Sequence, residues 1–445
     1  MNKAIRLKLF LMMVLEFFIW GSWLPLIFGY LPSLGFTPGQ QSWILNAFPI
    51  AAIVGMFFSN QFADRNFAAE KFLAFSHVVG GLAILGCGFT KEFWPFFMLM
   101  SVHCLLYVPT ISITNSIAFA AMKDAQQEFG IVRMGGTIGW ILAAWPFTFI
   151  FVDWAAVKAV NPSGFVEWIS AALAHPLTGD AAKAATRWTF VVSGIASLVL
   201  AAFSLTLPHT PAKKTSEGAP QKLAWLEAVK LLAHPFVLVL WLVTFVDSFV
   251  HNSYFNWTGS FLGASVASGG VGIPSNWIMP VMSIGQVAEI LTMFILGATL
   301  KKFGWRTTMI VGILGHAGRF AVYAFFPQHG ELIILVQILH GICYAFFFAT
   351  VYIFVDEYFP KDVRSSAQGL FNVMILGVGA LVANTVCPKL LQETFTNKLT
   401  GVTDFRGLFL VPLACASAAA IALALFFHPP KRKTGESRDA AAAVH

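Results

Sequence analysis

Apolar residues run along this chain in blocks near 20 residues long, separated by short polar stretches with Gly, Pro and clustered charge. A bilayer-spanning helix needs about 20 mainly apolar residues. Twelve such blocks stand near residues 8–31, 41–62, 70–90, 93–121, 131–153, 188–208, 233–262, 276–299, 307–326, 331–355, 365–388 and 406–428. The pattern predicts an all-α integral membrane protein with twelve transmembrane helices. The first block carries Glu16 and has no small-residue cleavage site behind it, so it reads as a retained helix rather than a leader. The longest polar stretch, residues 209–232, divides the chain into six-helix halves, 1–208 and 233–428, and residues 429–445 form a polar tail. The alanine-rich stretch between the fifth and sixth blocks predicts a short surface helix.

Composition agrees with this reading. Of 445 residues, 57% are hydrophobic and only 11% charged, where soluble domains carry about 25%. The net charge of +7 sits in the short loops rather than in a patch, which argues for membrane topology and against a nucleic-acid partner. Twelve spans put both termini on one side. Nineteen of the 28 Lys and Arg fall in loops and tails on that side and seven on the other; Arg133 and Arg319 fall within helices. Positive loops face the cytoplasm, so both termini are expected there. The five cysteines form no close cluster, so neither a disulfide framework nor a zinc site is indicated. No HExxH, GxSxG or Walker-type sequence is present, and the chain is not expected to be an enzyme.

Ionisable residues at mid-membrane cost about 2.5–3.5 kcal/mol on insertion scales, so each is a candidate for function. Gln286 and Glu289 stand at i and i+3 and share a helix face. A carboxylate can accept from two hydroxyls, while an amide both donates and accepts. Arg133, Thr137 and Trp140 form one stripe of the fifth helix, and a tryptophan there either packs or stacks on a flat ligand. Helix seven carries Asp247, His251, Asn252 and Phe255; helix ten carries His340 and Tyr344. Glu16, Asp247 and Glu289 are the candidate proton carriers. Arg319 needs a counter-charge and reads as a structural pair. His77, His103 and His316 read as residues satisfied within the bundle.

Phe62-Ala63-Asp64-Arg65 resembles the loop signature of the major facilitator superfamily, without its usual glycines. Six ordered segments are similar to the bacterial nucleoside:proton symporter family: Leu15–Trp23, Arg133–Gly139, Leu205–His209, Met282–Glu289, Arg319–Ala321 and Arg364–Gly369. The resemblance implies the major facilitator fold and import of a nucleoside with protons. It implies a monomer in the bacterial inner membrane, with no cofactor beyond the coupling proton. It places substrate contacts at Arg133, Thr137, Trp140, Asn252, Phe255, Gln286, Glu289, His340 and Tyr344, with His251 replacing Asn252 if the register slips by one. Asp64, Arg65 and Arg364 are expected at a cytoplasmic gate. Ala345 stands where the family commonly has an aspartate, which leaves the proton carrier open. A sugar or similar polyol is the alternative cargo, and a receptor that binds without transporting is a further one.

Overall fold

A computed structural model describes residues 2–55, 67–122, 125–211, 229–359 and 361–429; the side chains of 125–127 and 361–366 lie outside it. The described residues are helical apart from turns and two isolated β-bridges. We number the membrane helices α1 (Lys3–Ser33), α2 (Pro38–Leu45 continuing as Ala47–Val54), α3 (Ala69–Cys87), α4 (Phe93–Ala121), α5 (Ala125–Ala144) and α6 (Trp188–Ser204). In the second half come α7 (Pro235–Gly263), α8 and α9 within the run Ser275–Phe325, α10 (Gly330–Tyr358), α11 (Lys361–Asn372 continuing to Lys389) and α12 (Phe405–Phe426).

The 51-residue run Ser275–Phe325 would be about 77 Å long as a single helix, against a hydrocarbon core of roughly 30 Å. It is broken at Gly304, whose φ of 72° and ψ of 174° no helix contains, so 275–303 is α8 and 305–325 is α9. Nine helices among the described residues are long and apolar enough to span. That run supplies two spans, and α2 and α5 complete the expected twelve.

Boundaries depart most from the sequence pattern in two places. Helix α5 starts at Ala125, six residues before the expected 131, because Ala125–Gly130 continues the helix in spite of its polar character. It ends at Ala144, before Pro146, where the pattern ran on to 153. Arg133 therefore lies two turns inside the helix rather than at its opening. The outer stretch holds three short helices, Trp154–Val160, Phe165–Ala174 and Gly179–Ala185, not one. Each is short because the Asn161 cap, Gly164 and Gly179 interrupt the alanine-rich run.

The buried apolar core falls into two main clusters. One is built only from residues between Leu9 and Leu207, the other only from residues between Val237 and Phe427. Large apolar side chains such as Phe75, Leu82, Leu291, Phe294, Ile421 and Leu425 are exposed along whole helices. On a soluble protein such a surface would be an aggregation liability; in a bilayer it is the lipid-facing belt. Glycine lets α1 and α5 cross closely: a Cβ on Gly139 would lie 2.1 Å from the Val14 carbonyl oxygen, and one on Gly135 2.6 Å from that of Phe10. Small residues at such crossings are what holds helices together where lipid removes the hydrophobic drive.

The halves are tied by hydrogen bonds at the end of the bundle opposite the two termini. Gln41 and Gln392 exchange amide hydrogen bonds at 3.2 and 2.8 Å, Asn46 Nδ2 donates to Thr385 Oγ1 at 2.9 Å, and Asn384 Nδ2 donates to the Leu45 carbonyl at 3.0 Å. The loop helices join the same end, where Ser275 Oγ donates to the Leu177 carbonyl at 2.6 Å.

Candidate functional site

Between the halves lies a cavity of about 460 Å³, lined by side chains from both. That falls within the roughly 300–1,000 Å³ of small-molecule sites. All nine residues expected to contact substrate line it: Arg133, Thr137 and Trp140 from α5, Asn252 and Phe255 from α7, Gln286 and Glu289 from α8, and His340 and Tyr344 from α10. His251, the alternative to Asn252 on α7, lines it too.

The cavity has an aromatic wall and a polar wall. Trp140 meets Trp20 edge-on at 5.2 Å and Phe255 edge-on at 6.1 Å, and Trp20 stacks on Phe48 at 4.7 Å. The Arg133 guanidinium lies 4.3 Å over the ring of Phe17. On the polar wall, Gln286 Oε1 is buried without a hydrogen-bond partner among the described residues. Glu289 is half-buried and has no hydrogen bond or ion pair among the described residues, while Arg133 and Tyr344 lie within electrostatic reach. Asn252 ties its amide nitrogen back to the Ser248 carbonyl at 2.8 Å, which leaves its oxygen for the cavity. Buried polar atoms are normally paired, and Gln286 Oε1 with the Glu289 carboxylate on one face of α8 offers acceptors to a ligand in the cavity.

Helices α8 and α10 touch behind this wall. A Cβ on Gly341 would lie 2.1 Å from the Glu289 backbone nitrogen, and one on Gly285 2.8 Å from the His340 Cβ. Just beyond, α10 takes a π-helical turn over Tyr344–Ala349, and α11 takes one over Val373–Val378. Such turns cluster at functional sites. Ala345 sits inside the first, buried with Leu296 and Phe346 in an apolar cluster and away from the cavity wall.

The other two candidate proton carriers are buried outside the cavity lining. Glu16 faces the interior of the first half. Its Oε1 accepts from Thr110 Oγ1 at 2.7 Å, its Oε2 meets His77 Nε2 at 3.0 Å, and its carbonyl accepts from the Tyr107 hydroxyl at 2.6 Å. Ser197 Oγ donates to the His77 carbonyl at 3.1 Å, so it accepts from His77 Nδ1–H at 2.9 Å. One proton is then shared between His77 Nε2 and Glu16, locked at both ends. Asp247, on α7, lies 3.6 Å from His316 Nε2 and beside Arg319. Arg319 is wholly buried and, as expected, does not line the cavity. His103 Nδ1–H donates to the Gly80 carbonyl at 3.0 Å. Asp64 and Arg65 lie outside the described residues, as does the side chain of Arg364, whose backbone belongs to α11.

Sequence reasoning missed Trp20, Asn115, Tyr352, Asn372 and Asn384, which also line the cavity. The asparagines carried the same signal as Gln286, an amide inside an apolar run. Tyr352 donates to Asn372, and Asn256 Nδ2 donates to Asn384 Oδ1 at 3.1 Å.

This geometry has counterparts among known proteins. YegT of Escherichia coli (strain K12) is 29% identical over 94% of this chain and 93% of its own, and the xanthosine permease of the same organism is 27% identical over 92% of each. A crystal structure of the nucleoside transporter NupG superposes with a TM-score of 0.76 over 97% of this chain and all of that one, at 23% identity. The xylose transporter XylE of E. coli, inward open, superposes at 0.61 over 97% of this chain and 98% of that one, at 15% identity, so the two share a fold. The family model described as nucleoside H+ symporter matches residues 1–173 and 156–432, both halves and their shared cavity, and the chain belongs to that family.

Proposed function

We propose that this protein imports nucleosides together with protons across the bacterial cytoplasmic membrane by alternating access. The observation that carries the reading is the pairing of an aromatic wall with unmatched acceptors on one face of α8. The Glu289 carboxylate accepts from the two ribose hydroxyls, Gln286 and Asn252 bond the remaining polar edge, and Trp140 with Phe255 packs the base. The six-helix halves, 1–208 and 233–428, rock about this site with 209–232 as their cytoplasmic linker, and both termini face the cytoplasm. The carrier works as a monomer and needs no cofactor beyond the coupling proton. Asp64, Arg65 and Arg364 belong to its cytoplasmic gate. The relatives named above support the cargo, and the cavity geometry supports the residues.

The test is uptake by a strain lacking its own nucleoside carriers, measured with a panel of labelled purine and pyrimidine nucleosides. Concentrative uptake that an uncoupler abolishes, and that nucleosides but not hexoses compete, is the expected result. Competition by hexoses and not by nucleosides would move the cargo to the sugar alternative. Uptake indifferent to the uncoupler but dependent on sodium would remove proton coupling. Binding of nucleosides with no accumulation in vesicles would make the protein a receptor.

A further inference from the structure

Behind the polar wall of the cavity, α7, α9 and α10 bury an array of four charged or titratable side chains: Asp247, His316, Arg319 and His340, none more than 2% exposed. Arg319 Nη1 lies 2.9 Å from His340 Nδ1, and Nη2 lies 3.0 Å from His316 Nδ1. A guanidinium has donors only, so both Nδ1 atoms are acceptors and both imidazoles are neutral with the proton on Nε2. The Nε2–H of His316 then faces Asp247 Oδ2 at 3.6 Å, longer than a hydrogen bond. Neither oxygen of Asp247 has a hydrogen-bond partner among the described residues. Cys343 of α10 is the other titratable group within its electrostatic reach.

These constraints set Asp247 apart from the other buried acids. Glu16 is pinned through both oxygens, and Glu289 faces the substrate. The ionised form of Asp247 has the Arg319 charge to balance it, yet no donor fixes it there, so it can take a proton without breaking a hydrogen bond. Access runs through His251, one turn along the same face of α7 at i+4, where Cβ atoms are about 5–6 Å apart. His251 lines the cavity, its Nδ1 is unpartnered among the described residues, and its ring stacks on His340 at 4.9 Å and meets His316 at 5.7 Å. At the other end of the array, His340 both lines the cavity and abuts Gly285, next to Gln286.

We propose that Asp247 binds the coupled proton, received from the cavity through His251, and that Arg319 carries the change of charge to His340 and thence to the α8 face that holds substrate. The proton adds to a carboxylate oxygen and leaves from it when the carrier faces the other side; no other bond is made or broken. With Asp247 ionised, the array is neutral overall and Arg319 holds His340 in place. With Asp247 protonated, the guanidinium is unbalanced and its hold on His340 shifts. His251 relays the proton and Arg319 acts as a positioning group, since neither is the final acceptor. The proposal rests on the symport reading above and assigns its proton site.

The experiment uses the full-length chain in proteoliposomes, with the nucleoside that the wild type accumulates most. A pH gradient of about one unit drives roughly tenfold accumulation for one proton. Asp247→Asn should lower that ratio to about unity while counterflow exchange of nucleoside persists, and should abolish the substrate-induced proton uptake reported by a pH-sensitive dye. Because Asp247→Asn strands the Arg319 charge, the charge-neutral double variant Asp247→Asn with Arg319→Gln is tested beside it and should show the same split. Asp247→Glu should restore part of the accumulation. Wild-type accumulation in either Asn variant overturns the proposal. So does loss of counterflow in both, since the array would then only support the fold. If the wild type itself accumulates no nucleoside, the symport reading falls and this assignment falls with it.

Discussion

At the scale of the residue, the sequence exposed the site through its cost. Gln286 and Glu289 stood out because a polar group inside an apolar helix must be compensated, and both reach the cavity, Gln286 Oε1 without a hydrogen-bond partner among the described residues. Replacing Glu289 by Gln keeps the shape and removes the charge. Hydrogen bonds to charged groups are worth about 1.5–3 kcal/mol, so the substitution should weaken nucleoside affinity by roughly 10- to 150-fold. Unchanged binding in an equilibrium assay would take Glu289 off the substrate. Trp140→Ala tests the opposite wall. Base stacking on an aromatic ring is worth about 1–3 kcal/mol and tolerates any base, so affinity should drop for purine and pyrimidine nucleosides alike; a loss confined to one class would instead mean a shape-specific contact. Cost alone could not say which way an acid points. Glu16 was as conspicuous in the sequence as Glu289, yet it is enclosed by His77, Thr110 and Tyr107 inside the first half. A membrane helix is apolar on both its lipid side and its bundle side, so the periodicity that reveals the inner face of a soluble helix is weak here. Asn115, Asn372 and Asn384 were passed over because an amide costs less in lipid than a charge and is easily read as a packing contact.

At the scale of the element, hydropathy fixes how many helices there are better than where they end. All twelve expected spans have a helix, including the two that run together through Gly304. Helix α5 departs most in extent: Ala125–Gly130 is polar enough to read as a loop, yet it extends the helix from the cytoplasm-assigned end. The Gly135-Gly136 pair and Gly139 were legible as small residues but not as the reason α1 and α5 can touch. That reason is backbone proximity, visible only in three dimensions. Gly139→Ala puts a methyl group 2.1 Å from the Val14 carbonyl oxygen, so the helices must separate. Overpacking of this kind costs about 1–3 kcal/mol. The variant should unfold at lower temperature in detergent, by tryptophan fluorescence, while Gly130→Ala on the same helix, with open space around it, should not.

At the scale of the whole molecule, cross-half bonds among the described residues hold together the end of the bundle away from the termini. Gln41–Gln392, Asn46–Thr385 and Asn384–Leu45 all lie at the end away from the termini, and they join α2 to α11 or to the turn Leu390–Thr394 that follows it. Alternating access requires this seam to part when the cavity faces that side. Its bonds are few, neutral and partly exposed, which suits a seam that must open repeatedly: each neutral bond is worth about 0.5–1.5 kcal/mol net, or roughly a two- to twelvefold change in the ratio of the two states. Asn46→Ala removes the amide that reaches Thr385 and leaves the cavity untouched, so it should raise the population open on the side opposite the termini by about that factor. A cysteine at Ser112, which lines the cavity, reports the change. In right-side-out vesicles an impermeant thiol reagent should label it several-fold faster in the Asn46→Ala background, and in inside-out vesicles correspondingly slower. Equal rates in the two backgrounds from both sides would mean that the seam does not hold the carrier in this state, and that the Asn46–Thr385 bond serves only the packing of α2 against α11.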